Sequence, residues 1–339
     1  LEVEVTMRKP DQHRRRNAVN IFLAGIIAGG AATGAVRAAE VYPAKPVRIV
    51  CAFPPGGGAD TVARILGEKL AERSGKPFVV DNRPGAGGTI GAGIVAKAAP
   101  DGYTLLLGSS SILATGPALQ GRSYESVAAE FSPVSLVSRI SYVLVVHPAV
   151  PAKSVAEFIS YAGAQGGRIN YASSGVGTAS HLAMELFKNM AHVDMAHVPF
   201  KGSSPAVISL IGGQVQAGFN NLVPALPHVK SGRLRALGVS GAARWSGLPD
   251  VPTIAASGLP GYEAVQWYGV MLPAGAPRAI VDHLQREIGA ILQLADVREH
   301  LTGEGGEVSG STPREFAAYI KQEIEKWSLV VKAANIRAD

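Results

Sequence analysis

Apolar and polar residues follow two rhythms along this chain. Short apolar runs predict buried strands at Val47–Phe53, Phe78–Val80, Tyr103–Leu107, Val143–Val146, Ile169–Ala172, Met195–Val198, Val215–Phe219, Leu234–Ser240 and Val265–Leu272. After the first run, Val62, Ile65, Leu66 and Leu70 recur at the spacing of one helix face. Further helices are predicted over 90–98, 154–164, 180–190, 206–211, 278–294, 296–301 and 313–334, with Trp327 on the apolar side of the last. Strands and helices alternating in this way predict an α/β fold with parallel strands. Turn clusters at Pro249–Thr253 and Gly258–Tyr262 mark a boundary region late in the chain.

The first strand and the first helix are joined by Phe53-Pro54-Pro55-Gly56-Gly57-Gly58-Ala59-Asp60. Three glycines let a backbone come close to a ligand. The helix that follows offers unpaired N–H groups and a partial positive charge. Pro55, Gly56, Gly57, Gly58 and Asp60 are therefore candidates for an anion cradle. The plainer reading is a tight turn with Asp60 as N-cap. Neither familiar phosphate motif is met. No Lys-Ser/Thr follows the glycines in P-loop register, and the dinucleotide fingerprint fails at Thr61 here and at Ile90 in the later Gly85–Gly91 run.

The same strand, small-residue loop and helix recur in the second half, where Ser173-Ser174-Gly175-Val176-Gly177-Thr178 precedes a helix with His181 in its first turn. Two such cradles predict a cleft between two similar lobes. Ser109 and Ser110, at the carboxyl end of a strand, occupy the position where open α/β sheets contact ligands, or else they cap and solubilise a loop. Lys201, beside Gly202, would set a cation near a bound carboxylate or remain a solvated lysine. Asn220 and Asn221 end another strand with amides free to donate or accept. His181 either touches the ligand or packs beside the cleft.

The N-terminus changes the reading of charge. Leu1 to Thr6 precede Met7 and read as upstream translation or a fusion remnant. A basic stretch (Arg8, Lys9, Arg14, Arg15, Arg16) is followed by a small-residue apolar run, Ala18–Ala35, and by Val36-Arg37-Ala38. That is the pattern of an export signal cleaved after Ala38. A retained membrane anchor is the alternative. The whole chain has 32 Lys+Arg and 26 Asp+Glu, and residues 1–38 carry six of the former and three of the latter. The remainder is +3, too weakly basic for a nucleic-acid surface and mildly suited to an anionic solute. The single cysteine, Cys51, lies in the first apolar run as a small core residue.

No catalytic constellation is legible. Ser109, Ser110, Ser173, Ser174 and Ser240 lack the framing glycines of a nucleophile elbow. His192 and His197 have no nearby carboxylate or cysteine set to complete a metal site. Neither a metal nor a cofactor is expected.

Longer motifs carry a resemblance. Tyr42-Pro43-Ala44-Lys45-Pro46-Val47-Arg48, the Phe53–Asp60 loop, Asn82–Gly88 and Ala99-Pro100-Asp101-Gly102-Tyr103-Thr104-Leu105 resemble the substrate-binding receptors of tripartite tricarboxylate transporters, the TctC or Bug family. So do Asn170–Thr178, His197-Val198-Pro199-Phe200-Lys201-Gly202 and Leu248–Thr253. The likeness runs from about Tyr42 to Ile336. It implies a two-lobed periplasmic binding protein fold (type II), each lobe a mixed sheet flanked by helices, with the ligand in the cleft between them. Residues 40–140 plus 266–339 would form one lobe and 141–265 the other.

The resemblance further implies a monomeric receptor in the periplasm. It would bind a small carboxylate (a di- or tricarboxylate, amino acid or aromatic acid) and pass it to membrane permease subunits. The ligand would be held largely by backbone groups of Gly56–Gly58 and Ser173–Thr178, with Ser109, Ser110, Lys201 and Asn220 nearby. Where many relatives carry Asp before Asn221, this chain has Asn220. The alternatives are a hydrolase-like enzyme on a similar scaffold and a carboxylate sensor that works without a permease.

Overall fold

The computed structural model describes residues 42–303 and 305–336. The export signal and the alternative anchor lie outside the described residues. Among the described residues no helix is long and apolar enough to cross a membrane.

The chain begins with β1 (Val47–Cys51), α1 (Gly58–Ser74), β2 (Phe78–Asn82), α2 (Thr89–Ala96) and β3 (Thr104–Ser109). A π-helical turn, Ser111–Thr115, leads into α3 (Gly116–Leu119) and α4 (Tyr124–Ala128), and then into the long β4 (Phe131–Val146). There follow α5 (Val155–Gln165), β5 (Asn170–Ser173), α6 (Ala179–Ala191), β6 (Ala196–Pro199), α7 (Ser203–Ile211), β7 (Ala217–Asn221), α8 (Leu222–Lys230) and β8 (Arg235–Val239). The chain ends with β9 (Val265–Pro273), α9 (Arg278–Ile291), α10 (Ala295–Gly303), β10 (Gly306–Val308) and α11 (Pro313–Ala333).

These elements make a two-lobed mixed α/β fold. One sheet runs β2-β1-β3-β9-β4, with β10 also on β4. Its first three strands are parallel, while β9 and β10 pair antiparallel with their neighbours. The other runs β4-β7-β5-β6, with β8 also on β4. There β5 is parallel to β6 and β7, while β4 is antiparallel to β7 and β8. Strand β4 thus belongs to both sheets. Phe131 to Ser141 pairs with β9, and Tyr142 to Val146 pairs with β7 and β8.

The apolar run Val143–Val146 predicts only the second part of β4. The first part is broken by Ser132, Pro133, Ser135 and Ser138, so no alternation shows in the sequence. Two register irregularities, at Pro133/Ser135 and Leu136/Ser138, accommodate them. Ser135 is fully buried and satisfied by Ser311, donating from Oγ to its carbonyl at 3.0 Å and accepting its N–H at 3.1 Å. Helix α8 is also unpredicted, because Pro224 and Pro227 read as breakers. Pro224 falls in the first turn, where its missing N–H would have had no partner. Pro227 is the one that sits inside the helix.

The first loop departs from its plainer reading. The N-cap of α1 is Gly57, and Asp60 is the third helical residue. Asp60 is buried and accepts from Gly56 N (2.9 Å), Arg64 Nε (2.8 Å) and Asn82 Nδ2 (2.9 Å). The Arg64 hydrogen bond, aided by those from Gly56 and Asn82, holds its carboxyl down at about 2. Cys51 is buried and unpaired, and its burial raises the thiol pKa.

Candidate ligand-binding cleft

A cavity of about 580 Å³ opens where the loops at the strand ends of the two sheets face each other. On the first-sheet side it is lined by Phe53, by Ala86, Gly87 and Thr89 before and at the start of α2, and by Ser111, Thr115, Leu119 and Gln120. On the second-sheet side the wall is Ser174 and the stretch Val176–Ser180, with Ser203, Phe219, Asn220 and Asn221. Tyr142 and Gln266, on β4 and β9, form its floor and bond to each other, Tyr142 OH donating to Gln266 Oε1 at 3.2 Å. Burial raises the Tyr142 hydroxyl pKa, so it stays protonated.

The electrostatics of this cavity come from backbone. Among the described residues lining it there is no Lys, Arg, His, Asp or Glu. Four helices of eight or more residues begin at its wall. Thr89 opens α2, Thr178 caps α6, Ser203 opens α7 and Asn221 caps α8. None of the four has a side-chain cap bond or an acidic residue in its first turn. Two helices away from the cleft carry side-chain caps, whereas α9 has neither a cap bond nor an acidic first turn. In α5 Ser154 accepts from Glu157 N, and α11 carries a full capping box from Thr312 and Glu315. The cavity therefore has a partly positive, neutral-sided wall with orphan N–H donors, suited to an anion.

An account of the amides in the second loop sharpens this. Ser174 N–H donates to Ser180 Oγ (3.1 Å), Gly175 N–H to Ser173 Oγ (3.1 Å), Gly177 N–H to His181 Nδ1 (3.0 Å) and Thr178 N–H to Gly175 O (3.3 Å). The N–H groups of Val176, Ala179 and Ser180 have no such partner among the described residues, and all three residues line the cavity.

Of the residues singled out from sequence, Ser174, Gly177, Thr178, Asn220 and Asn221 line the cavity. Pro55, Gly56, Gly57 and Gly58 are exposed and leave the lining to their neighbour Phe53. Asp60 faces its own loop. Ser109 and Ser110 are buried behind the wall with unpartnered hydroxyls, and Ser111 takes the lining position. Lys201 is exposed and Gly202 is the N-cap of α7, both outside the lining. Ser173, Gly175 and His181 are outside the lining. Tyr142, Gln266, Thr115 and Gln120 carry no sequence signal, because they reach the cavity only through the sheet crossing and the π-helical turn. Ala179 and Ser180 had one, as the first turn of a predicted helix.

Behind the loop, Tyr171, His197 and His181 stack, with centroids 4.9 and 3.8 Å apart in turn. His197 Nε2 lies 2.6 Å from Ser173 Oγ, the spacing of a nucleophile and its base. Ser173 is 1% exposed and its Oγ already accepts Gly175 N–H, so the pair serves to hold the loop. Two imidazolium charges at this stacking distance would repel by about 4 kcal/mol at an effective dielectric near 20. Burial, then His197, then Lys188 lower the His181 pKa to about 3.

His181 is thus neutral in the fold at a pH where the unfolded chain binds a proton. Its contribution to stability is present above about 6.5 and is lost as pH falls toward about 3. We expect stability to drop over that window by up to about 1.4 kcal/mol per pH unit from this residue. Urea unfolding at several pH values should show a shallower slope for His181→Asn, and an equal slope would refute the assignment.

Comparison with known proteins bears on the fold and the family. A family model described as "Tripartite tricarboxylate transporter family receptor" matches residues 62–336. The chain is 39% identical to protein BugT of Bordetella pertussis over 314 residues, covering 92% of this chain and 96% of that one. It is similar to the solved structure of Rpa4515 of R. palustris with adipate, with 37% identity, TM-score 0.73, 87% of this chain and 99% of the other. It is also similar to MatC of Rhodopseudomonas palustris with bound malate, with 34% identity, TM-score 0.69, 86% of this chain and 100% of the other.

Proposed function

Because the chain belongs to the tripartite tricarboxylate transporter family of receptors, we propose that it captures a small carboxylate in the periplasm and delivers it to membrane permease subunits. The observation that carries this reading is the cavity walled by four uncapped helix N-termini and no charged side chain. The solute's carboxylate takes the place of the missing caps, accepting from the free amides of Val176, Ala179 and Ser180. Solved relatives with adipate and malate support a carboxylate as the ligand class.

The lobes are residues 40–140 plus 266–339 and residues 141–265, and they close on the solute about β4 and the approach to β9. Closure brings the Gly56–Gly58 loop onto the ligand, and the ligand favours the closed state because only there do both walls contact it. The protein is exported with cleavage after Ala38 and acts as a monomer.

The test is thermal unfolding of residues 39–339 against a panel of dicarboxylates, tricarboxylates, amino acids and aromatic acids. A ligand at 100 times its dissociation constant adds about 2.7 kcal/mol, a rise of at least a few degrees. Protein that is folded and free of bound solute, yet shows no shift with any acid, would sink the receptor reading.

A further inference from the structure

The loop that walls the cavity on the second-sheet side rests on side chains that do not themselves line it: Tyr171, Ser173, His181, Glu185, Lys188 and His197. We propose that His181 is a positioning residue of the receptor, whose Nδ1 turns the Gly177 amide away from the cleft so that Val176, Ala179 and Ser180 present the donors. This rests on the receptor reading and adds to it the part that sets its donor pattern.

Three observations carry it. First, Gly177 N–H donates to His181 Nδ1 at 3.0 Å, which requires that nitrogen to be unprotonated and places the ring hydrogen on Nε2. His181 is 5% exposed, so no water competes freely for the amide. Second, the ring is held on its face and at its edge. It stacks on His197 at 3.8 Å and 9°, and His197 stacks on Tyr171 at 4.9 Å and 17°. The Tyr171 hydroxyl donates to Glu185 Oε1 at 2.5 Å, and Lys188 Nζ donates to the same oxygen at 2.9 Å. The charged and titratable groups facing His181 are therefore Tyr171 from β5, His197 from β6, and Glu185 and Lys188 from its own helix. His181 Nε2 lies 4.0 Å from Glu185 Oε1.

Third, of the amides from Ser174 to Thr178 only that of Val176 has no partner among the described residues. Gly175 N–H is held by Ser173, whose hydroxyl is in turn held by His197, and Gly177 N–H is held by His181. Val176, between them, is left free. This pattern depends on backbone at φ +140 for Gly175 and φ +71 for Gly177, values that side-chain-bearing residues rarely adopt. With the acceptor removed, nothing behind the loop prefers the Gly177 amide facing inward. The peptide can then rotate and disturb the Val176 donor next to it.

Two substitutions separate this role from packing. His181→Phe keeps a flat ring in the stack and removes the acceptor. His181→Asn removes the ring and keeps an acceptor oxygen near the place of Nδ1. Both are made in the protein spanning residues 39–339, and two quantities are read: exchange of the Gly177 amide by NMR, and calorimetric affinity for the tightest acid of the panel above, beginning with adipate and malate.

We expect His181→Phe to speed Gly177 exchange and to weaken binding by about tenfold or more, and His181→Asn to restore both to within about threefold of the parent. Equal losses in the two variants would show that the ring only packs. Faster exchange with unchanged affinity would show that the hook exists but does not set the donors. Either result overturns the proposal. Should no acid bind the parent protein, the receptor reading fails and the positioning role fails with it, whatever the exchange pattern.

Discussion

Glu323→Ala is expected to destabilise the protein by about 3 kcal/mol and to lower its Tm by about 6–12 °C. Glu323 is 4% exposed on the inner face of α11. Its Oε2 accepts from two indoles, Trp267 Nε1 at 3.0 Å and Trp327 Nε1 at 3.1 Å, and its Oε1 pairs with Lys326. Removing the carboxylate leaves two buried N–H donors without a partner, at about 1–3 kcal/mol each. Glu323→Gln keeps one acceptor and should lose less than half as much. The loss also reaches the cleft. Side chains alternate across a strand, so on β9 Trp267 packs against Phe316 of α11 while its neighbour Gln266 lines the cavity. A loss of under about 1 kcal/mol in urea unfolding would mean that the indoles are satisfied in another way.

Gly177→Val is expected to weaken ligand binding by about 100-fold while costing only about 1–2 kcal/mol of stability. Gly177 has φ +71, and a Cβ there would stand 3.0 Å from Leu119 Cδ1 across the cavity. A β-branched residue in that conformation is strained. Relief of the strain would move the peptide whose amide His181 holds and narrow the space between the walls. Gly166→Ala is the control. It is also a left-handed position, at φ +55, but it ends α5 away from the cavity and a Cβ there meets nothing within 4 Å. It should cost similar stability and leave affinity unchanged. Calorimetry with the acid found in the thermal panel decides the matter, and unaltered affinity in Gly177→Val would exclude this loop from the site.

Much of the fold was legible because its central strands are buried on both faces and its helices on one. Val47, Ile49, Val50 and Cys51 are all buried in β1, so an unbroken apolar run was the right signal. Helix α11 declared its start by Thr312-Pro313 and Glu315 and its buried face by Phe316, Ile320, Ile324 and Trp327. The first part of β4 and helix α8 escaped because serines and prolines that usually end elements are here accommodated by bulges, by Ser311 and by position in a first turn.

The candidate site divides along the same line. Small-residue loops ahead of helices, such as 173–178, are local features, and local spacing is what a sequence displays. It pointed to two candidate cradles, of which the second lines the cavity and the first does not, and to a family with long ordered motifs. Which amides of those loops remain free is a different kind of fact. Gly177 looks like an open donor until His181, Ser173 and Ser180 are seen to occupy its loop, and Asp60 looks like a cap until Arg64 and Asn82 fill its oxygens. Tyr142 and Gln266 became neighbours only because β4 and β9 pass side by side beneath the cavity.

Residue order thus determined the alternation of strands and helices, the small-residue loop at 173–178 and the kind of receptor, because each rests on periodicity or on contiguous motifs. Folding in three dimensions decided which donors face the solute, which are spent on side chains behind the loop, and which distant residues close the cavity. A hydrogen bond is satisfied by whatever lies within about 3 Å, however far away it is along the chain.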